Sequence, residues 1–284
     1  MVVYPNCKIN IGLRIVGKRE DGYHNLETIF YPIYGLHDEL EITKGTGNFI
    51  QEGIVVDCDP KKNLIWRCYE SMRNLYPQIG EVDIRLKKNI PFGAGLGGGS
   101  SDAAFTAKAL NELFALGLTK DELAHIVSPL GADCAFFIYN TPCFATGIGD
   151  ELTPIDLDLS GKRLVMIKPE VAISTREAYA SLVESVEWRV ESSRIVQEVE
   201  SLELEHCIND FEASVFPNHP ILGQIKKRLL DAGAFYAAMS GSGSTIYGLF
   251  ENDAEGRSNP HLTRLNEEFA SMVIFNDTLT QTQA

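Results

Sequence analysis

Five glycines fall within seven positions of one short stretch, and two hydroxyls and a carboxylate follow them. The stretch reads Pro91, Phe92, Gly93, Ala94, Gly95, Leu96, Gly97, Gly98, Gly99, Ser100, Ser101 and Asp102. Glycine allows the backbone to adopt positive φ and to approach a ligand closely. If a helix begins here, its first N–H groups and its dipole favour a phosphate ligand. The stretch therefore indicates an anion-binding loop.

The segments on both sides of the glycines have regular periodicity. Residues 82–86 alternate between apolar and charged side chains, which predicts a half-buried strand. Residues 103–114 carry apolar side chains at helical spacing, and Gly117 is a natural helix stop. The glycines thus lie between a strand and a helix, an arrangement that a flexible linker does not explain.

The glycine stretch differs from three common types of phosphate-binding loop. Gly93-x-Gly95-x-x-Gly98 formally satisfies the dinucleotide-binding fingerprint, but that fold requires a strand after the helix. Here Thr119 and Glu122 form a capping box that predicts a second helix instead. A P-loop requires a lysine that is missing here, and the glycine loop of protein kinases leads into a strand. None of the three fits.

Length and composition limit the possible classes of protein. A chain of 284 residues predicts one large or two medium domains, and its net charge of −14 argues against nucleic acid or anionic membrane as a partner. The six cysteines show neither a CxxC pair nor metal-ligand spacing, so we expect reduced thiols and a cytoplasmic location. The N-terminus lacks the pattern of a signal peptide, and no apolar run approaches the ~20 residues of a membrane span.

The order of the predicted elements favours an α+β fold with two domains. Strands and helices occur in both halves without strict alternation. An acidic, proline-containing segment around residues 150–161 suggests a boundary, with domains at 1–155 and 156–284. The remaining principal predictions are a strand at 7–16, helices at 63–74, 192–205 and 221–231, and strands at 163–168, 235–239 and 245–250. The acidic region 184–205 has no predicted role beyond solvation.

The loop at 91–102, together with the glycine motif at 239–244, resembles the GHMP kinases. The resemblance implies an N-terminal domain like ribosomal protein S5 domain 2 and a ferredoxin-like C-terminal α+β domain. It also implies that residues 91–101 bind the phosphates of ATP, with the second motif nearby. Mg²⁺ is expected with ATP, but no carboxylate cluster identifies its protein ligands.

Four further blocks narrow the resemblance within that family. They are residues 6–13, 19–26, 131–137 and 209–212. They resemble the branch that phosphorylates the 2-hydroxyl of 4-diphosphocytidyl-2-C-methyl-D-erythritol, in non-mevalonate isoprenoid precursor biosynthesis. The alternatives are another small-alcohol kinase of the homoserine or mevalonate type, a non-catalytic nucleotide-binding relative, and a nicotinamide-dependent oxidoreductase. The sequence does not indicate an oligomeric state.

The resemblance assigns roles on the ATP side of the reaction. Asp133 matches the catalytic aspartate and is the expected general base, although an aspartate after Gly-Ala is ordinarily a turn or cap residue. Lys8 is expected to pair with Asp133 and with the attacking oxygen. Asn63 and Lys88 fall where the family approaches the adenosine. Lys88 is equally consistent with a solubility charge on an edge strand.

On the acceptor side, the resemblance assigns the cytosine to Tyr23 by stacking and to His24 by hydrogen bonds. Without the resemblance, this pair would be no more than a partly exposed turn. Asn10 is expected near the sugar alcohol and diphosphate. Thr175 and Tyr179 hold the spacing of the opposing stacking aromatic. The relatives have Pro-Thr-Pro there, whereas this chain has arginine after Thr175, so the local geometry differs.

Overall fold

The computed structural model describes residues 1–54, 62–180, 196, 199, 204–251 and 260–281. Its chain divides into two compact units, each made of several segments. The first unit comprises Met1–Lys8, Leu36–Phe92 and Gly97–Thr141. The second comprises Ile9–Gly35, Gly93–Leu96 and Pro142–Ala284. This discontinuous division does not coincide with a single boundary at residue 155, so the two sequence domains stay a prediction.

Helices and strands alternate irregularly along the described residues. The strands are β1 (Val2–Val3), β2 (Asn6–Lys18), β3 (His24–His37), β4 (Glu39–Lys44), β5 (Phe49–Gly53), β6 (Val82–Lys88), β7 (Cys143–Thr146), β8 (Glu151–Pro154), β9 (Arg163–Ile167), β10 (Tyr236–Met239), β11 (Ile246–Phe250) and β12 (Val273–Thr278). The helices are α1 (Leu64–Leu75), α2 (Gly98–Leu113), α3 (Lys120–Val127), α4 (Cys134–Tyr139), α5 (Thr175–Ala180), α6 (Phe211–Val215), α7 (Pro220–Asp231) and α8 (Pro260–Glu268).

The first unit builds a sheet in the order β1-β4-β6-β5, with helices packed on it. β6 lies inside this sheet, antiparallel to β4 and parallel to β5. Its side chains at 82, 84, 86 and 88 are buried, while those between them are more exposed. The predicted strand is confirmed, and the buried register continues to its last residue, which is a lysine. That lysine therefore lies inside the unit.

Three helices of the first unit begin at residues whose type explains the start. Asn63 caps α1 by accepting a hydrogen bond from the Ile65 N–H at 2.9 Å. Thr119 and Glu122 form the predicted capping box of α3. α2 starts after Gly97, whose φ of +70° is the left-handed conformation that glycine adopts readily. α2 is followed by a helix, which confirms the argument against a dinucleotide-binding fold.

The second unit contains two more four-stranded sheets, with the orders β2-β3-β7-β8 and β10-β11-β9-β12. β2 starts in the first unit and continues into the second after Lys8. The predicted helix at 221–231 and the strands near 163, 235 and 245 are confirmed as α7, β9, β10 and β11. Apolar side chains of α7 join those of β9 and β11 in one core.

Mixed helices and sheets in two units confirm the predicted α+β fold class. The predicted acidic helix at 192–205 falls almost entirely outside the described residues. Within the described part of the chain, no helix combines the length and the apolar character that crossing a membrane requires.

Candidate active site

Lys8 and Asp133 are 125 positions apart in sequence and lie side by side in the first unit. Lys8 is on β2 with 4% of its side chain exposed, and Asp133 is 29% exposed. The Lys8 Nζ and Asp133 Oδ2 atoms are 3.5 Å apart. A buried ammonium beside a partly exposed carboxylate is suited to hold a hydroxyl group and move its proton. The structure brings the two predicted residues together, and their catalytic roles stay a prediction.

Asp133 immediately precedes α4, where an aspartate would ordinarily cap the helix. Its side chain nevertheless accepts no capping hydrogen bond. The carboxylate is therefore directed to Lys8 and not to the helix, contrary to the interpretation of Asp133 as a cap residue. α4 also contributes Phe137, whose ring would lie 2.9 Å from a Cβ placed on Gly97. Lys8 Cε would lie 3.3 Å from the same Cβ, so the pair adjoins the start of α2.

The second half of the glycine loop forms the first turn of α2. Gly97 is the N-cap residue, and Gly98 to Ser101 are the first helical residues. The first N–H groups of a helix have no partner within it, so this turn can bind an anion. The first residue of α1 lies nearby, because a Cβ on Gly99 would be 3.7 Å from Leu64 Cδ1. Asn63, the predicted adenosine ligand, therefore caps a helix next to the first turn of α2.

Gly93–Leu96 of the loop belong to the second unit and contact the second glycine motif. Ser240 Oγ donates a hydrogen bond to the Gly95 carbonyl at 2.8 Å, and the Thr245 N–H donates to the Ala94 carbonyl at 3.2 Å. Gly95 has φ of +74°, and an added Cβ would collide with the Ser240 carbonyl. Only glycine fits there. The two motifs predicted to act together are in direct contact.

Asn10 lies two residues after Lys8 on β2 and is held by polar contacts within the second unit. Its Nδ2 donates to Thr28 Oγ1 at 3.0 Å, and its carbonyl accepts from the Tyr247 hydroxyl at 2.6 Å. Its N–H donates to Ser240 Oγ at 3.3 Å. Asn10 is thus fixed beside the second glycine motif, and its predicted contact with the acceptor stays a prediction.

The predicted cytosine residues lie in the second unit, and their binding roles stay a prediction. His24 stacks on Tyr179 with ring centroids 4.8 Å apart and an interplanar angle of 17°. Tyr23, expected to stack opposite Tyr179, is 62% exposed. Burial, followed by the charge of Lys18, lowers the pKa of His24 and favours the neutral imidazole. Thr175 Oγ1 lies 3.4 Å from Ser242 Oγ, beside the second glycine motif.

Lys88 occupies a position that the sequence interpretations do not describe. It ends an interior strand, so the interpretation as an edge-strand charge is wrong. Its side chain is 4% exposed and forms ion pairs with Asp38 and Asp102. Burial opposes its charged form, but Asp102 and Asp38 outweigh burial and raise the pKa of Lys88. Two carboxyl groups thus enclose the ammonium, and its predicted approach to the adenosine stays a prediction.

No sequence pattern predicts a role for Asp38, and Asp102 is predicted only as the end of the glycine loop. Asp38 is 50 residues from Lys88, and no local pattern connects the two. The alternation of β6 was a usable signal, because it places Lys88 on the buried face, where a lysine requires a partner.

The magnesium ion implied by the sequence resemblance can be tested against the side chains of this region. The described residues contain no group of three or more His, Cys, Asp or Glu side chains that would hold a metal. Ser101 Oγ is buried in the first turn of α2 without a hydrogen-bond partner. Mg²⁺ takes mostly phosphate oxygens and waters, with one or two protein oxygens. Ser101 fits as a single protein ligand for such an ion.

Comparison with known proteins identifies the family. The model described as GHMP kinases N terminal domain matches residues 63–141, and the model described as GHMP kinases C terminal matches residues 195–258. A 4-diphosphocytidyl-2-C-methyl-D-erythritol kinase from Parabacteroides distasonis is 50% identical over 252 residues, covering 88% of this chain and 92% of the relative. One from Cytophaga hutchinsonii is 44% identical over 257 residues, covering 90% and 94%.

Comparison with solved structures leads to the same family. A crystal structure of 4-(cytidine 5'-diphospho)-2C-methyl-D-erythritol kinase has a TM-score of 0.80 and 30% identity, covering 99% of this chain and all of that one. Homoserine kinase from Cytophaga hutchinsonii has a TM-score of 0.70 at 17% identity, covering 99% of this chain and 95% of that one; it supports the fold alone. The chain belongs to the GHMP kinase family, and within it to the 4-diphosphocytidyl-2-C-methyl-D-erythritol kinases.

Proposed function

We propose that this protein is an ATP-dependent kinase that phosphorylates the 2-hydroxyl of 4-diphosphocytidyl-2-C-methyl-D-erythritol, giving the 2-phosphate and ADP. The observation that carries the proposal is the Lys8–Asp133 pair, at 3.5 Å, beside the glycine-capped start of α2. The relatives that bear this enzyme's name provide the substrate. The product belongs to the non-mevalonate route to isoprenoid precursors.

In the proposed reaction, the 2-hydroxyl oxygen attacks the γ-phosphorus of ATP, the bond to the β–γ bridging oxygen breaks, and ADP leaves. Asp133 accepts the hydroxyl proton, and Lys8 stabilises the developing negative charge on the attacking oxygen. At ~4 Å and an effective dielectric constant of ~20, one such interaction is worth about 4 kcal/mol before desolvation. Since each ~1.4 kcal/mol changes a rate tenfold, this interaction is large enough to affect turnover.

The loop residues 91–101 hold the ATP phosphates through backbone N–H groups and hydroxyls, and Asn63 lies toward the adenosine. Mg²⁺, with Ser101 as its protein ligand, would neutralise phosphate charge when bound. A loop that positions phosphates and a base that receives one proton meet most requirements of phosphoryl transfer.

For the acceptor, we propose that Tyr23 and Tyr179 stack on the cytosine while His24 hydrogen-bonds its edge. The stack of His24 on Tyr179 supports a role for both rings in one aromatic site. Asn10 interacts with the sugar alcohol or diphosphate. An ATP-consuming enzyme whose described cysteines are all thiols suits the cytoplasm.

Two other functions fit these observations less well. A homoserine or mevalonate kinase has no use for a cytosine-binding Tyr-His pair, and the relatives of that type are similar only in fold. A non-catalytic nucleotide-binding relative would be expected to lack Lys8 or Asp133, and both are present.

The decisive experiment measures ADP release with four acceptors: the cytidylyl substrate, 2-C-methyl-D-erythritol 4-phosphate, homoserine and mevalonate. We expect turnover with the first alone, and phosphorus NMR should locate the new phosphate on the 2-oxygen. Turnover of an acceptor without the cytidylyl group would refute the proposed specificity. Tight binding of NAD with no binding of ATP would refute the kinase assignment itself.

A further inference from the structure

A buried cluster of three ionisable side chains lies beneath the phosphate-binding turn. Lys88 Nζ is 2.5 Å from Asp38 Oδ2 and 2.7 Å from Asp102 Oδ2. All three side chains are at least 96% buried. Burial, opposed by the charge of Lys88, raises the pKa of Asp102 to about 8. Two carboxyl groups and one ammonium are costly to bury away from solvent, so the cluster is expected to be kept for a reason other than stability.

The cluster connects the two ends of the glycine loop. Lys88 ends the strand before the loop, and Asp102 is in the second turn of the helix after it. Asp38 Oδ1 also accepts hydrogen bonds from the N–H groups of Asn89 at 2.6 Å and Ile90 at 2.8 Å. Asp38 therefore fixes the backbone entering the loop, and Lys88 joins that anchor to the helix leaving it.

Lys88 also packs directly against the first helical residue. A Cβ on Gly98 would lie 3.2 Å from Lys88 Nζ and 2.9 Å from Ile90 Cγ2. Gly98 is where the N–H groups of α2 begin. A displacement of the ammonium would therefore move the turn that binds phosphate.

We propose that Lys88 is a positioning residue that clamps the two ends of the loop through Asp38 and Asp102. It orients the first turn of α2 for the ATP phosphates without contacting the nucleotide. The proposal rests on the proposed function, because it takes ATP as the ligand of that turn. It replaces the adenosine contact that the sequence suggested for Lys88.

The test compares the binding of ADP with that of adenosine, which distinguishes an effect on phosphate binding from an effect on adenosine binding. Titration calorimetry measures both ligands, in the presence of Mg²⁺, for the wild type and for Lys88→Met. A distant mutation that misplaces a group by ~1 Å can lower a reaction rate on the order of 100-fold. By analogy, we expect the affinity for ADP to fall by about 10- to 100-fold. Adenosine affinity should change by less than about twofold, since its binding does not use the turn. Loss of both affinities in equal measure would indicate an adenosine contact and overturn the clamp.

Asp102→Asn provides a second test should Lys88→Met fail to fold. It retains the Asp38–Lys88 pair with balanced charge and weakens only the connection to α2. We expect the same selective loss for ADP, at least about threefold. An unchanged ADP affinity in folded Asp102→Asn would overturn the proposal.

Lys87→Met is the matched control. Lys87 is the preceding residue of the same strand, and its exposed ammonium pairs with exposed Glu39 at 2.8 Å. Its replacement should leave both affinities unchanged; an equal ADP loss there would show a general effect of lysine removal and overturn the clamp. If the wild type itself binds no ADP, the proposed function fails. If the wild type binds ADP and the Lys88 and Asp102 variants bind it equally well, the clamp alone fails.

Discussion

The Lys8 side chain is on a strand whose neighbouring positions are apolar and buried. A lysine there costs desolvation unless a partner offsets it, and Asp133 supplies one at 3.5 Å. Since Asp133 is more exposed than Lys8, a ligand can reach the carboxylate, with the ammonium behind it. This asymmetry suits a base that contacts a substrate hydroxyl and a lysine that stabilises charge.

Lys8→Ala and Asp133→Asn should each lower kcat by about 100-fold or more, the range expected when a positioned acid or base is lost. Asp133→Asn preserves shape and removes no capping hydrogen bond, so the protein should stay folded. ADP release measures kcat, and circular dichroism checks the fold. Asp231→Asn, at an exposed carboxylate paired with Lys227, is the control. Near-normal turnover in either test variant would contradict the assigned roles.

Among the residues that the structure describes, two aromatic rings adjoin Tyr179, which allows its binding role to be separated from its packing role. It stacks on His24 and meets Phe211 edge-on at 4.9 Å. Stacking of a base on an aromatic side chain is worth about 1–3 kcal/mol, so Tyr179→Ala should raise the KM for the cytidylyl acceptor about 5- to 150-fold. The KM for ATP should not change.

Tyr179→Phe keeps the ring and is the matched control. Its acceptor KM should stay within about twofold of the wild type, because stacking requires only the ring. Initial-rate kinetics with each substrate varied in turn measure both constants. Equal increases in both KM values for Tyr179→Ala would indicate general damage to the enzyme and not loss of a cytosine contact.

At the scale of elements, the two glycine motifs are in contact because their backbones approach more closely than any side chain would allow. Gly93 and Gly95 both have positive φ, at +61° and +74°. A Cβ on Gly93 would meet nothing within 4 Å, whereas one on Gly95 would strike the Ser240 carbonyl. Substitutions at Gly93 and Gly95 can therefore be compared to separate the effect of the contact with Ser240 from the effect of the left-handed backbone conformation.

Gly95→Ala should weaken ADP binding by at least about tenfold or prevent folding, because a backbone carbonyl cannot move aside as a flexible side chain can. Gly93→Ala carries only the cost of the left-handed conformation, about 1–2 kcal/mol, and should remain folded. Calorimetric ADP titration and thermal unfolding measure the two effects. Equal behaviour of both variants would show that the contact between the motifs is unimportant.

Elements with local signals could be predicted from the sequence. The strand at 82–86, the glycine loop and the helical residues at 103–114 follow from alternation, glycine content and helical spacing; the structure extends the strand to Lys88 and begins the helix earlier, at Gly98. The cap of α3 follows from Thr119 and Glu122. α4 could not be assigned, because six mostly apolar residues have no period that separates helix from strand.

Contacts between distant segments could not be predicted. The edge-strand interpretation of Lys88 was wrong because its partner Asp38 is 50 residues away, and a single ion pair between distant residues leaves no pattern in sequence. The stack of His24 on Tyr179 likewise depends on tertiary packing. The pairing of Lys8 with Asp133 was expected from the family resemblance alone.

At the scale of the whole molecule, the chain crosses between its units more often than a single boundary allows. It leaves the first unit after Lys8, returns at Leu36, and departs again for Gly93–Leu96 before its last crossing at Pro142. Lys8 and Asn10 are two residues apart on one strand yet belong to different units. Composition marks the ends of continuous segments, so it could not reveal this interleaved division.

The cysteines offer a probe of the whole molecule. Those in the described part of the chain are buried thiols, at positions 7, 68, 134, 143 and 207. Burial raises the pKa of Cys7 and Cys68 far above the ordinary value, and that of Cys134 to about 12. Because the thiolate is the reactive form, these groups should be inert until the protein unfolds.

In a Cys58→Ser background, which removes the cysteine outside the described residues, a thiol reagent should therefore label the native protein only through unfolding. ATP at 100 times its dissociation constant stabilises the native state by about 2.7 kcal/mol and should slow labelling about 100-fold. NAD at the same concentration is the control and should leave the rate unchanged. Rapid labelling of the native protein would contradict the burial of these thiols. Equal protection by NAD would contradict the selectivity for ATP, because any ligand that binds only the native state slows labelling in proportion to its occupancy.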